Sequence, residues 1–138
     1  MTQRKLKFQR ADILRELTGM VASIGDNNVF CHDRPSAKMP GMEKFVIVRL
    51  PQGVRSASSI HSTSYCQIVV FAKDNEGGLE DTLTLDEMAN AVCELFPIAT
   101  PLFSAVEPKL LSGGNDNLGF HALIIQARLI IHKQLKNS

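Results

Sequence analysis

The chain has 138 residues, of which 44% are hydrophobic and 21% charged, and its formal net charge at pH 7 is +1. This length and composition are typical of a single globular domain, which we expect to span residues 1–138. With so small a net charge, the overall electrostatics favour neither nucleic acid nor an acidic membrane as a partner. No apolar run approaches the roughly 20 residues that span a bilayer, and the N-terminus lacks a signal peptide's apolar core, so we expect a cytoplasmic location.

The charges are unevenly distributed along the chain. Basic residues crowd the N-terminus, whereas half of the 14 acidic residues lie between positions 74 and 94, where there is no basic residue. These segments predict either two solvated faces of opposite sign or a complementary contact, within the fold or between copies. The contact between copies predicts six self-association residues: Arg4, Lys5, Lys7, Glu80, Asp81 and Glu87.

Residue patterns that carry chemistry do not occur in this sequence. The three cysteines are odd in number and lie far apart in apolar contexts, which predicts buried, reduced thiols: Cys31, Cys66 and Cys93. Together with His32 and His61 they match no zinc-binding spacing. The glycine pairs at 77–78 and 113–114 lack the spacing of phosphate loops and predict turns. We therefore predict no catalytic, cofactor-binding or metal site, and no enzymatic activity.

The first predicted elements are a helix and a short strand. Residues 9–24 form an amphipathic pattern whose apolar stripe consists of Ile13, Leu14, Leu17, Met20, Val21 and Ile24. Residues 29–31 predict a brief strand. The segment 32–41 contains Pro35, Pro40 and Gly41 and predicts an irregular connection.

Residues 44–50 and 64–73 predict two strands that pair as an antiparallel hairpin. The strand 64–73 is apolar on both faces, interrupted by Gln67, so we expect it to lie inside a sheet that is covered on both sides. Residues 52–63 are small and polar, and they predict a long loop at the tip of the hairpin. Such a loop costs more entropy to close than a two-residue turn.

Two interpretations of the loop remain open. It is either a tolerated surface insertion or a segment that becomes ordered on binding a partner. The second interpretation predicts Val54 and Ile60 as apolar anchors and Arg55 as a polar contact to that partner.

The second half of the chain predicts a helix and a long strand. Thr84 and Glu87 have the spacing of a capping box, so we expect a helix over 84–96 that ends at Pro97. Residues 102–107 are a candidate short strand, and residues 111–117 predict a turn. Residues 119–132 alternate strictly on one face, which predicts a long strand in the centre of the sheet.

These elements predict an α+β fold, in which two amphipathic helices pack on a mainly antiparallel sheet of four to five strands. The order of elements resembles that of the tail terminator, or tail completion, proteins of long-tailed bacteriophages and prophages. The features that carry the resemblance are the first helix leading into 29–31, the hairpin of 44–50 with 64–73, the helix 84–96 and the closing strand 119–132. They cover nearly the whole chain.

The resemblance implies a non-enzymatic structural protein without cofactors. Copies of such a protein form a ring, typically of six, that caps the tail tube and joins it to the head. The implied partners are further copies, the tail tube protein and the head connector protein, with DNA only passing through the ring. The chain would then be assembled into a virion, and the tail tube would be the partner of the loop 52–63.

Two other classes of function remain open from the sequence. One is a small-ligand-binding or enzymatic α+β domain with its site on the sheet. The other is a nucleic-acid-binding regulator, which would depend on the N-terminal basic run and on Arg49, Arg55 and Arg128. With one tyrosine and no tryptophan, the chain offers little for stacking on exposed bases.

Overall fold

The computed structural model describes residues 5–7, 10–23, 28–31, 42–50, 55–56, 61–132 and 134–136, and side chains within 11–23, 29, 42–50 and 64–132. This part of the chain forms two helices and nine strands. In chain order they are β1 (Lys5–Lys7), α1 (Arg10–Ala22), β2 (Asn28–Cys31), β3 (Lys44–Arg49), β4 (Arg55–Ser56), β5 (His61–Lys73), α2 (Thr82–Cys93), β6 (Ile98–Ala99), β7 (Phe103–Asn115), β8 (Phe120–His132) and β9 (Gln134–Lys136). A short 3₁₀ turn, Glu76–Gly78, lies between β5 and α2.

The main sheet has the strand order β2-β3-β5-β8-β7-β6, and the two-residue strand β4 pairs with β5. Every pair is antiparallel except β2 with β3, which is parallel. Strands β1 and β9 form a separate two-stranded antiparallel ribbon. The predicted α+β fold, with two helices on a mainly antiparallel sheet, is confirmed.

Strand β5 lies in the interior of the sheet, as its apolar faces predict. It pairs with β3 on one side, and on the other it pairs with β8 along its full length, from His61 opposite His132 to Lys73 opposite Phe120. Val70 on one face and Val69 on the other are both buried. A strand that is apolar on both sides is therefore buried on both sides.

The core lies between the two helices and one face of the sheet. Helix α1 contributes Ile13, Leu14, Leu17 and Val21, and helix α2 contributes Leu85, Met88, Ala89 and Val92. The sheet contributes Val46, Val48, Ile68, Val70, Ile125 and Leu129. A smaller cluster on the other face contains Phe45, Ile47, Val69 and Ala122. The helical and alternating apolar patterns of the sequence thus match the buried faces.

The predicted loop 52–63 is partly wrong, because β5 begins at His61 and Arg55–Ser56 pairs with it. The residues 61–63 pair along β8 through their backbones, which needs no apolar side chains. The sequence of these small and polar residues therefore does not indicate that they belong to a strand. Residues 51–54 and 57–60 lie outside the described residues, as does the predicted irregular segment 32–41.

The predicted capping box of Thr84 and Glu87 is wrong, because α2 begins two residues earlier and Asp81 is its N-cap. One carboxylate oxygen of Asp81 accepts the Thr84 backbone N–H at 3.2 Å, and the other accepts the Thr84 hydroxyl at 2.8 Å. Thr84 therefore lies inside the first turn. The helix also ends before Pro97, with Glu94 as its C-cap.

The predicted strand over 102–107 is present but longer than expected, and the predicted turn over 111–117 is wrong, because β7 is one strand of 13 residues. Its register against β8 shifts between Val106 and Lys109 and between Ser112 and Gly114. These irregularities accommodate Pro108 and the glycine pair within a strand. The turn follows at residues 116–119, where the carboxylate of Asp116 accepts the backbone N–H groups of two later residues.

Neither described helix is long and apolar enough to cross a membrane.

Candidate interaction surfaces

Three exposed leucines lie at the end of the sheet where β5 finishes and β8 begins. The exposed fractions are 67% for Leu79, 70% for Leu83 and 52% for Leu118. We call this surface the leucine end. Leu83 lies in the first turn of α2, Leu79 precedes that helix, and Leu118 lies in the turn between β7 and β8.

Backbone hydrogen bonds hold these segments together. The N–H of Asp74 donates to the carbonyl of Gly119 at 2.8 Å, and the N–H of Asn75 donates to the carbonyl of Leu79 at 2.7 Å. Asp74 also bonds to His121, with its Oδ1 at 2.5 Å from the imidazole Nδ1. The 3₁₀ turn and the β7–β8 turn are therefore neighbours at this end.

Exposed carboxylates lie close in the chain to two of these leucines, Leu79 and Leu83. Asp86 and Glu87 lie three and four residues after Leu83, so they are its neighbours on the helix surface. Glu80 and Glu76 are exposed in the segment before the helix. The leucine end therefore carries exposed acidic residues close to its leucines along the chain, as the acid-only segment 74–94 leads one to expect.

The three acidic residues that the sequence predicts for self-association differ in their surroundings. Glu80 and Glu87 are exposed at the leucine end. The carboxylate of Asp81 caps α2 and is half-buried, so its first role is in the helix. All three predictions of self-association stay predictions.

The basic residues at the N-terminus belong to the β1–β9 ribbon. Lys5 pairs with Lys136, Leu6 with Leu135, and Lys7 with Gln134. Because directly opposed residues share a face and neighbours along a strand alternate, the register groups the three lysine positions on one face and the two leucine positions on the other. Arg4 lies outside the described residues.

Sequence reasoning missed Lys136 as a member of this basic group. The pairing joins the two ends of the chain, and no local pattern predicts it. The nearest signal is the similarity of the two short segments, Lys-Leu-Lys at 5–7 and Gln-Leu-Lys at 134–136.

A row of polar side chains crosses the sheet face opposite the helices. The Nε of Arg49 donates to the Oε1 of Gln67 at 2.8 Å, and the Nε2 of Gln67 donates to the Oε1 of Gln126 at 2.7 Å. All three side chains are partly buried. The two glutamines and the arginine therefore satisfy one another rather than presenting an open binding site.

The described structure does not show whether the predicted partner-binding residues of the 52–63 segment lie together. Val54 and Ile60 lie outside the described residues, and Arg55 is placed only by its backbone, opposite Thr63. Their role stays a prediction.

A cleft of about 290 Å³ lies beside the leucine end. It is lined by charged and polar side chains, which include Glu43, Lys44, Lys73, Asp74, Asp81 and Thr84. Asp74, on its wall, is bonded to His121, and both side chains are largely buried. No group of three or more metal-binding side chains is found within the described parts of the chain.

The described thiols are free but poorly reactive. Burial raises the pKa of Cys66 to about 11, and it also raises the pKa of the partly buried Cys93. Both therefore remain protonated at neutral pH, whereas the thiolate is the nucleophile and the metal ligand. The side chain of Cys31 lies outside the described residues.

Comparison with known proteins assigns no family to the chain. No protein-family model matches it, and no curated protein matches its sequence. Its function must be inferred from the surfaces described above.

Proposed function

We propose that this chain is a structural subunit of a phage or prophage tail, similar to the tail terminator proteins. Its copies form a ring, six in number by the resemblance, that caps the tail tube and joins it to the head. The observation that carries the proposal is the exposure of the leucine end, where Leu79 and Leu83 are each more than two-thirds exposed. An apolar surface with a polar rim is typical of a site of protein–protein contact.

The edge of the sheet at β7 supports the same conclusion. Strand β6 pairs only with Ser104 and Ala105, so among the described strands none covers the rest of β7. Leu110 and Leu111 are exposed on this uncovered part. Natural proteins shield such edges or cover them with a neighbour. The bulges and Lys109 shield part of it, and a neighbouring subunit covers the rest.

The fold also supports the proposal. The elements that carry the resemblance correspond to α1 with β2, the pair of β3 with β5, α2, and β8. Folds host many functions, so this support is weaker than that of the exposed leucines.

The assembled ring has three kinds of partner. Its neighbours in the ring are copies of the same chain, and its two faces contact the tail tube protein and the head connector protein. Val54, Arg55 and Ile60 contact the tail tube, and DNA passes through the lumen. The chain is assembled into the virion and performs no catalysis.

Two measurements test this proposal. The gene is expected to lie among genes for capsid, connector and tail tube proteins, and the purified chain is expected to bind the ends of purified tail tubes in electron micrographs. A gene that lies apart from all virion genes, together with a chain that leaves tube ends uncapped, would reject it. Mass in solution alone does not decide, since an assembly protein can remain monomeric until it meets its partner.

The cleft favours one alternative function, the binding of a small polar ligand. Its wall carries Asp74, which is bonded to the largely buried His121 and has Lys44 and Lys73 nearby. A ligand held there would raise the melting temperature of the chain by mass action, and Asp74→Asn would reduce that rise. A screen of phosphorylated and carboxylated metabolites that leaves the melting temperature unchanged would reject this alternative.

A further inference from the structure

We propose that the leucine end of one copy binds the β1–β9 ribbon of a second copy, so that the chains associate head to tail. The inference rests on the proposed function in taking the partner to be another copy of the chain. It specifies which two surfaces meet and which residues decide their affinity.

The two surfaces have complementary chemistry. The leucine end presents three exposed leucines with the exposed carboxylates of Glu80, Asp86 and Glu87 around Leu83. The ribbon groups Lys5, Lys7 and Lys136 on one face and the leucine positions 6 and 135 on the other. The face that carries the lysine positions can meet the acidic side chains, and the aliphatic stems of lysines at these positions can cover Leu79 and Leu83. Complementary charge of this kind fixes register and favours the correct partner.

The same chain cannot make this contact with itself. Leu118 lies two residues before β8, and Gln134 lies two residues after it. A strand of 13 residues spans about 40 Å at roughly 3.3 Å per residue. Each strand of the ribbon has only three residues, which extend over about 10 Å. The two surfaces are therefore at opposite ends of the sheet, and they can meet only between different copies.

The ribbon also needs support from outside itself. The ribbon is separate from the main sheet. Among the described elements, β1 makes extensive contacts only with β9, and β9 only with β1. A two-stranded ribbon on its own is marginally stable at best in water. Packing against an apolar surface of a second copy supplies the missing support.

No single charged pair is expected to hold the contact. Exposed pairs of lysine and carboxylate are weak and are screened by salt, so several must act together with the leucines. Two different surfaces that meet head to tail form a heterologous contact, which closes into a ring if the rotation between copies allows it.

Charge reversal tests the proposal in the full-length chain. One variant carries Glu80→Lys and Glu87→Lys, and a second variant carries Lys5→Glu and Lys7→Glu. Each variant alone places like charges across the contact, so its association constant in sedimentation velocity should fall by roughly tenfold or more at low salt. An equimolar mixture restores opposite charges at every contact, so it should associate about as strongly as the wild type.

Two further variants make the result specific. Glu94→Lys changes an acid at the other end of α2, and it should leave association unchanged. Leu83→Ser removes an exposed apolar side chain without opening the core, and it should weaken association even at high salt, where the charge reversals lose their effect. The thermal unfolding of each variant checks that it is folded.

Three results would overturn the inference. The wild type could sediment as a monomer up to about 1 mM, the charge-reversed chains could associate as the wild type does, or their mixture could fail to recover. These outcomes are separate from those for the tail function. If the chain associates through these surfaces but does not cap tail tubes, the contact between copies stands and the tail function is rejected. If the chain caps tail tubes but does not associate through these surfaces, only the proposed contact is rejected.

Discussion

Gln67 and Gln126 face each other across β5 and β8, and the Nε2 of Gln67 donates to the Oε1 of Gln126 at 2.7 Å. Arg49, opposite Gln67 on β3, donates to the other side of the same amide at 2.8 Å. Three adjacent strands thus contribute one side chain each to a polar row. A slip of β5 by one residue would turn Gln67 toward the helix-covered core, so the row favours a single register.

Replacing Gln67 with leucine should lower the free energy of unfolding by about 1–3 kcal/mol, because Arg49 and Gln126 each lose a partner at a partly buried site. Adding Gln126→Leu should cost less than the sum of the two single changes, because both ends of one hydrogen bond are then removed. Urea unfolding of the four chains measures this coupling. Strict additivity would show that the two glutamines do not interact.

Val70→Asp should unfold the protein or come close to it. Val70 is buried in β5 between Val46 and Leu123 of the neighbouring strands, so the new carboxylate has no water and no charged partner. The expected cost of about 3–5 kcal/mol is a large part of a typical domain's stability. Leu110→Asp, at an exposed position of β7, is the control, and circular dichroism during heating compares the two. In the wild type, amide exchange should be slowest at residues 68–71.

Asp81→Ala should destabilise the protein by about 1 kcal/mol through loss of the N-cap of α2. Glu80→Ala is a matched control, because Glu80 is the adjacent acid and is exposed, and we expect its effect to stay within about 0.5 kcal/mol. Urea unfolding of the two variants compares them. Equal effects would mean that the hydrogen bonds that Thr84 donates to Asp81 contribute no net stability.

Two glycines should respond to alanine in opposite directions. A Cβ at Gly113 would lie 2.9 Å from the Cβ of Ala122 and 3.1 Å from its carbonyl oxygen, so Gly113→Ala should cost about 1–3 kcal/mol. Nothing lies within 4 Å of a Cβ at Gly19 in α1, where alanine should add about 0.5–1 kcal/mol. Melting temperatures should therefore move down for the first variant and up for the second. A rise in both would contradict the close packing of β7 on β8.

The stability of the protein should fall in alkali because of Cys66. Burial raises the pKa of this thiol from 9.0 to about 11, so the unfolded chain releases the proton at a lower pH than the folded chain does. Below pH 9.0 the thiol is protonated in both the folded and the unfolded chain, and its contribution to the free energy of unfolding is fully present. As the pH rises from 9.0 toward 11, the unfolded chain loses the proton first, and the free energy of unfolding falls by up to about 3 kcal/mol. Other groups titrate in this range, so the measurement is the difference in urea unfolding between the wild type and Cys66→Ala. A difference that does not change with pH would contradict the burial of the thiol.

The sequence predicts the elements whose apolar residues follow a regular period. Helix α1 and strand β8 were predictable because apolar residues recur at the helical or strand period along a buried face of each. Strand β3 was predictable because it is a short run of apolar residues that are buried on both faces. Most of β7 was not, because its distal part is exposed and has no alternation, while Pro108 and the glycine pair are typical of turns. The parallel pairing of β2 with β3 and the β1–β9 ribbon depend on contacts between distant segments.

The candidate surfaces were predictable only in part, for the same reason. The acid-only segment indicated an acidic surface, but the sequence did not show that Leu79 and Leu83 lie exposed within it or that Leu118 joins them. Asp81 illustrates a second limit. Asp81 lies three residues before Thr84, and Thr84 lies three residues before Glu87, so either Asp81 or Thr84 fits the start of a helix. Only the structure shows that Asp81 is the N-cap.

The long pairing of β5 with β8 has a consequence for synthesis of the chain on the ribosome. Strand β5 is complete well before β8 has been made, so until then its only long partner is the six-residue strand β3. Translation at roughly 5–20 residues per second leaves this doubly apolar strand half-paired for several seconds. The nascent chain is therefore expected to need a chaperone, or slow folding at low temperature, to avoid aggregation before its last long strand arrives.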